Sequence, residues 1–187
     1  MSMSNAATLD ALVDREAIRD CLLRYCRGID RCDEEALRSA YWPDATDRHG
    51  AYQGPAAGFI DRALTKLQSA SRMVHMLGNV LIDLHGDVAA AESYFIAFQE
   101  NTADDGSARE TLLCGRYVDR MERRGAEWRI AARTVTYDWL RSTPLPDGLA
   151  ADTFGVRQPT GGRRPNDPLY ELLAALRQFA SSNGSAR

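Results

Sequence analysis

Near Arg72 the hydrophobic pattern of this chain changes period, and that change constrains the fold more than any single motif. Before it, apolar residues recur every three or four positions, the spacing of one helix face. Thr8 is placed to cap a helix running to about Ile29. Along that helix Ala17, Cys21, Tyr25 and Ile29 form one row, and Ile18, Leu22, Cys26 and Asp30 form the next. Arg15, Asp20, Arg24 and Arg27 lie outside them, as in a helix resting on an apolar surface. Asp33 is an N-cap for a second, short helix that ends by Trp42-Pro43. A short strand over 44–52 follows. Gly54-Pro55 then opens a third helix with Phe59, Ala63, Leu64 and Leu67 on one face.

Beyond Arg72 the runs 73–84, 88–99, 110–121 and 128–139 read as strands. His85-Gly86-Asp87 and Arg123-Arg124-Gly125-Ala126 separate them with tight-hairpin chemistry, and 101–107 is a longer polar connection. Helices first and a β-meander second predict an α+β fold with a curved antiparallel sheet. Residues 1–141 form this domain. Residues 142–168 are rich in Pro, Gly and Asp and read as an extended arm. After it Asn166-Asp167-Pro168 caps a short helix bearing Leu169, Leu172, Leu173 and Leu176. A helix that short must dock on its own or a neighbouring subunit, and 181–187 reads as disordered.

The whole chain has 187 residues and a formal net charge of -3, so it carries no basic field to hold nucleic acid or anionic lipid. No apolar run reaches membrane-spanning length and the first residues lack the pattern of a secretory leader; the expected location is cytoplasmic. Cys21, Cys26, Cys32 and Cys114 show no C-x-x-C spacing and read as reduced thiols. Dinucleotide, Walker and nucleophile-elbow motifs are missing, and His49, His75 and His85 are too scattered for a metal site. The expectation is therefore a small-molecule protein without cofactor or metal.

Three residues stand out chemically. Asp30 continues an otherwise apolar row, so its carboxylate needs a partner; capping the next helix or pairing with Arg27 or Arg31 would also provide one. His75 lies in the apolar run around Met73, Val74, Met76 and Leu77. Strict alternation puts Val74, Met76, Val80 and Ile82 on the face opposite it, so His75 either faces a pocket from the other side or is re-aimed by a bulge. Arg133 sits among Ala131, Ala132, Thr134 and Val135 and must find an acceptor, either on a ligand or in a cross-strand pair with Glu92 or Glu110. Together, an Asp that fixes one imidazole tautomer makes the other ring nitrogen a general base, with Tyr25 and Arg133 available to a developing oxyanion. Trp42, Tyr52, Phe59, Met73, Tyr94, Phe98 and Tyr117 are the large side chains whose segments suit a pocket lining.

The order of elements, with Tyr25 five residues before Asp30, His75 ahead of Asn79, and Arg133 five residues after Trp128, resembles the SnoaL-like branch of the NTF2-like superfamily. That branch includes scytalone dehydratase, hexachlorocyclohexane dehydrochlorinase, bile-acid 7α-dehydratase and the small subunits of ring-hydroxylating dioxygenases. The resemblance covers about residues 9–141 and implies a cone-shaped NTF2-like fold, its curved sheet wrapped around the N-terminal helices with an enclosed pocket. It implies a cofactor-independent lyase, dehydratase-like, in which Asp30 and His75 form the base and Tyr25 and Arg133 assist. The substrate implied is a hydroxylated polycyclic or aromatic compound. An isomerase or cyclase with the same pocket, or a non-catalytic ligand-binding or assembly subunit, stays open beside it. Both faces of the 73–84 strand carry apolar residues, so a homo-oligomer is expected, and the resemblance implies a trimer first and a dimer second.

Overall fold

A computed structural model describes residues 5–67, 72–103, 105–145 and 159–184. Helix α1 (Asn5–Asp30) is followed by α2 (Glu34–Ser39), β1 (Tyr41–His49), β2 (Tyr52–Pro55) and α3 (Ala56–Leu67). Four long strands come next, β3 (Met73–His85), β4 (Val88–Thr102), β5 (Ala108–Arg124) and β6 (Glu127–Pro144), and then helix α4 (Pro168–Gly184). The strands form one six-stranded sheet in the order β2-β1-β6-β5-β4-β3. Every pairing is antiparallel except that of β1 with β6. The sheet is curved and unclosed, and α1 lies in its hollow: the NTF2-like α+β cone.

Alternation along the strands builds the core. On β4, Ala89, Ala91, Ser93, Phe95 and Ala97 are buried on the concave side, and three alanines in that row let α1 sit close to the sheet. From α1, Ile18, Cys21, Leu22, Tyr25, Cys26 and Ile29 fill the hollow. Asp14 fastens the outer part of the helix by accepting from Trp128 Nε1 at 2.8 Å and Arg123 Nη1 at 3.2 Å.

The end of α1 is fixed by its own cap. Cys32 adopts a positive φ of 47°, Asp33 N–H donates to Gly28 O at 2.9 Å, and Cys32 N–H donates to Ile29 O at 3.3 Å, the two bonds of a Schellman motif. Asp33 then caps α2 by accepting from Ala36 N–H at 3.1 Å. At Gly28 the two helices nearly touch: a Cβ there would lie 2.7 Å from Leu37 N.

Several boundaries differ from the sequence reading, beginning with α1, which starts at Asn5 ahead of the Thr8 expected to cap it. Trp42-Pro43 ends no helix; both residues lie within β1, where the register against β6 slips between Tyr41 and Thr46 and the missing proline N–H is tolerated. Strand β2 pairs with β1 through His49↔Tyr52, a hairpin not foreseen from the sequence. At the other end β6 runs through Pro144. Helix α4 continues to Gly184, into the stretch expected to be disordered, and Ser181 Oγ and Ser182 Oγ donate back to the carbonyls of Arg177 and Gln178, at 2.9 and 3.1 Å. The central part of the arm, 146–158, and the final residues 185–187 lie outside the described residues. The arm's later part docks on its own chain: Arg164 N–H donates to Arg31 O at 2.9 Å, and Tyr170 Oη donates to Asp33 Oδ2 at 2.9 Å.

Replacing Gly28 by Val should lower stability by about 1–3 kcal/mol, the usual cost of overpacking, because the new methyls meet the α2 backbone rather than a flexible side chain. Urea unfolding measures it, and an unchanged midpoint would contradict the packing described.

Candidate active site

The pleat of β3 alone would separate His75 from Val80 and Ile82. The structure reconciles them with a bulge: the register against β4 shifts between Gly78 and Leu81, and Asn79 takes a positive φ of 49°. Met73, His75 and Leu77 before the bulge therefore share the concave side with Val80, Ile82 and Leu84 after it. Of the two sequence alternatives for His75, the bulge is the one realised.

Asp30, the last residue of α1, reaches His75 at two points. Its Oδ1 lies 2.6 Å from His75 Nδ1, and its Oδ2 accepts the His75 backbone N–H at 2.9 Å. A carboxylate only accepts, so Nδ1 is the protonated nitrogen of this contact, and in the neutral ring Nε2 is the one that keeps a lone pair. The side chains are 10% and 11% exposed, enough to meet solvent or a ligand from one side.

Arg133 and Tyr25 occupy a deeper layer. Arg133 pairs bidentately with Asp119 across the β5–β6 register, Nε to Oδ1 and Nη2 to Oδ2, both at 2.7 Å. Neither side chain is exposed at all. The guanidinium sits in the corner between the near-perpendicular rings of Tyr25 at 4.0 Å and Tyr117 at 4.1 Å. Burial acts to lower the Arg133 pKa, but the Asp119 carboxylate and the surrounding phenols outweigh it, so the group is held well above the ordinary arginine range. Burial drives the Tyr25 phenol well up, against the pull of Arg133, and raises the Cys26 thiol to about 12. These groups stay charged and neutral respectively. The acceptor of Arg133 is thus Asp119, neither Glu92 nor Glu110; Glu92 pairs with Arg116 instead. The signal that could have found it is the alternation Tyr117-Asp119-Met121, an acid in a buried row.

The fold therefore joins Asp30 to His75 and Tyr25 to Arg133, with Phe95 between the layers: its ring lies 6.4 Å from His75 and stacks on Tyr117 at 4.5 Å. Of the large side chains considered for a lining, Met73 shares the row of His75, Phe59 projects from α3 over β1, and Tyr117 is core. Tyr52 bonds Pro55 O and packs beside Phe59. Trp42 packs half-buried at the edge of the core, its ring 4.9 Å from Arg124 and 4.8 Å from Arg129, with Nε1 donating to Glu122 O. Tyr94 and Phe98 lie on the convex face, because β4 alternates and Phe95 and Ala97 take the concave side. The sheet thus holds them away from the dyad. A shallow depression beside Asp61, Arg62, Thr65 and Lys66 contains none of these groups. Among the described residues no cluster of His, Cys, Asp or Glu is arranged to hold a metal, and no helix is long and apolar enough to cross a membrane.

A family model for the SnoaL-like domain matches residues 10–134. No curated protein matches. Among solved structures, a type 2 hexachlorocyclohexane dehydrochlorinase superposes with a TM-score of 0.67 at 21% identity, over 76% of this chain and 99% of that one. A scytalone dehydratase-like protein from Novosphingobium aromaticivorans gives 0.64 at 18% identity, over 77% and 99%. A protein from the same organism assigned as the β subunit of an aromatic-ring-hydroxylating dioxygenase gives 0.54 at 25% identity, over 72% and 99%.

Because Asp119 is what makes a buried Arg133 tolerable, Asp119→Ala should cost about 3–5 kcal/mol, the price of an uncompensated internal charge. The double variant Asp119→Leu/Arg133→Met should recover most of that loss. Chemical denaturation of the three proteins checks it; a double variant no more stable than the single one would contradict the pairing.

Proposed function

The chain belongs to the SnoaL-like domain family, and from that premise we propose that it is a cofactor-independent lyase, dehydratase-like, acting on a hydroxylated polycyclic or aromatic compound. The observation that carries the reading is the two-point grip of Asp30 on His75, which leaves Nε2 as a lone-pair base on the concave side. His75 takes a proton from carbon next to the departing group. Asp30 holds the tautomer and balances the imidazolium that forms. Tyr25 and the Arg133–Asp119 ion pair supply a fixed dipolar layer beneath, acting through the field rather than by contact with His75. Structural neighbours named as a dehydrochlorinase and a scytalone dehydratase-like protein support elimination over other chemistry. An isomerase would use the same base without losing the leaving group.

A second reading has its own support. The hollow below His75 is filled by Tyr25, Phe95, Tyr117 and Arg133, and a dioxygenase β-subunit-like protein is among the neighbours, so a non-catalytic assembly subunit would also suit the fold.

Incubating the protein with hydroxysteroids and phenolic polyketides, followed by mass spectrometry for loss of water, separates the readings. Activity should fall at least ~10²-fold in His75→Ala, the usual contribution of a positioned base. Full activity in that variant would remove His75 from the mechanism. No turnover of any compound would favour the assembly reading.

The proposal extends to a symmetric homo-oligomer, a trimer before a dimer. Val74, Met76, Ile96, Phe98 and Trp139 are exposed on the convex side, and the register aligns Met76, Ile96, Cys114 and Trp139 in one row across β3 to β6. Light scattering should give a multiple of 20.7 kDa that falls toward the monomer in Ile96→Lys. A concentration-independent monomer of the unaltered protein would contradict it.

A further inference from the structure

The last turn of a helix frays first, and in α1 that turn carries Asp30. Two residues on, Cys32 holds a positive φ of 47°, a sparsely populated conformation for a residue with a Cβ. Such an end relaxes readily unless something outside the helix holds it. The C-terminal arm grips both neighbours of Cys32. Arg164 N–H donates to Arg31 O at 2.9 Å. On the other side the Asp33 carboxylate, 7% exposed, gathers three donors: Ala36 N–H at 3.1 Å and Arg164 Nη1 at 2.7 Å on Oδ1, and Tyr170 Oη at 2.9 Å on Oδ2. Arg164 therefore spans the left-handed residue, its backbone on one side and its guanidinium on the other.

Capping α2 asks only for the first of those three bonds. The other two come from residues 131 and 137 positions later. Burial acts to raise the pKa of Asp33, but the Ala36 N–H, Arg164 and Tyr170 outweigh it and hold the carboxyl below its ordinary range. Burial and that carboxylate push the Tyr170 phenol up to about 12, so it stays a donor. The arm is shaped for the contact. Asp167, itself buried, accepts from Gly162 N–H at 2.9 Å and Leu169 N–H at 3.1 Å, and its own N–H donates to Arg163 O at 2.9 Å. This closed turn presents Arg164 and Tyr170 together, with the Asp167 carboxylate 3.4 Å from Arg31 Nε and Arg163 Nη2 donating to Leu67 O at 2.8 Å.

We propose that Asp33, clamped by Arg164 and Tyr170, is a positioning residue for the Asp30–His75 pair. The clamp acts through the backbone: it fixes residues 31–33, and with them the last residue of α1, whose Oδ1 stands 2.6 Å from His75 Nδ1. A displacement of about 1 Å at such a contact is enough to cost ~10²-fold in rate. The family match ends at residue 134, so the arm side of the clamp lies beyond it. The catalytic consequence rests on the lyase reading above, whereas the effect on the pair does not.

The test uses the full chain. Arg164→Ala/Tyr170→Phe opens the clamp and leaves Ala36 N–H its acceptor. In that variant the far-downfield Nδ1 proton of His75 should exchange with water at least about tenfold faster, while the amide signals of β4 and β5 stay in place. Arg164→Lys, which keeps a positive charge beside Asp33, should lose much less, and Leu176→Ser on the exposed side of α4 should change nothing. Unaltered exchange in the double variant would mean that the arm only tethers α4; it would overturn the inference and spare the lyase reading. Faster exchange in a protein that turns over no compound of the screen would support the clamp and count against the lyase reading alone. Lack of that proton in the unaltered protein would overturn both. Once a substrate is in hand, the double variant should lower kcat about tenfold and keep KM within about twofold. A raised KM with unchanged kcat would make the arm an entrance contact and overturn the proposal.

Discussion

The grip of Asp30 on His75 ties the end of α1 to β3, and the rest of the site is arranged around it. One carboxylate serves a ring nitrogen and a backbone N–H on the same residue, so helix position, strand position and imidazole orientation are set together. The Schellman cap at Cys32 and the close approach at Gly28 hold the helix end from one side. The Asn79 bulge holds the strand from the other. Charge-assisted hydrogen bonds of this kind contribute roughly 1.5–3 kcal/mol each. Here they also spare the fold an unpaired carboxylate at the inner end of an apolar helix row.

Below that grip the hollow is built from charge rather than from aliphatic packing alone. Asp119, Arg133 and Asp47 lie side by side across β5, β6 and β1, all nearly inaccessible, with Tyr25, Tyr41 and Tyr117 around the guanidinium. A buried ion pair is a weak source of net stability, because desolvation offsets most of the attraction. On the proposed reading, its worth lies in a preorganised field beneath His75.

Much of this was legible in the sequence, for identifiable reasons. The period change near Arg72 and the turn chemistry at Gly86 and Gly125 located the long strands, because both glycines do take a positive φ. Asp30 was visible as an acid in an apolar helical row. The β1–β2 hairpin was not, since Trp42-Pro43 resembles a helix stop and β1 pairs in parallel with the last strand of the meander. Parallel partners far apart in sequence leave no local trace. Asp119 and Asp47 stand in alternating buried rows that mark them as inward acids, but their partners are set by register, which the alternation of one strand does not reveal. Tyr94 and Phe98 had suitable chemistry but the wrong parity on β4, and Phe95, between them in the core, was passed over.

The most direct test of the account is the tautomer of His75 in the unaltered protein. Nitrogen-15 spectroscopy should show Nδ1 protonated and Nε2 bare, with a far-downfield proton on Nδ1 that disappears in Asp30→Asn. A proton on Nε2, or a His75 signal indifferent to that substitution, would contradict the claim that Asp30 prepares His75 as a base.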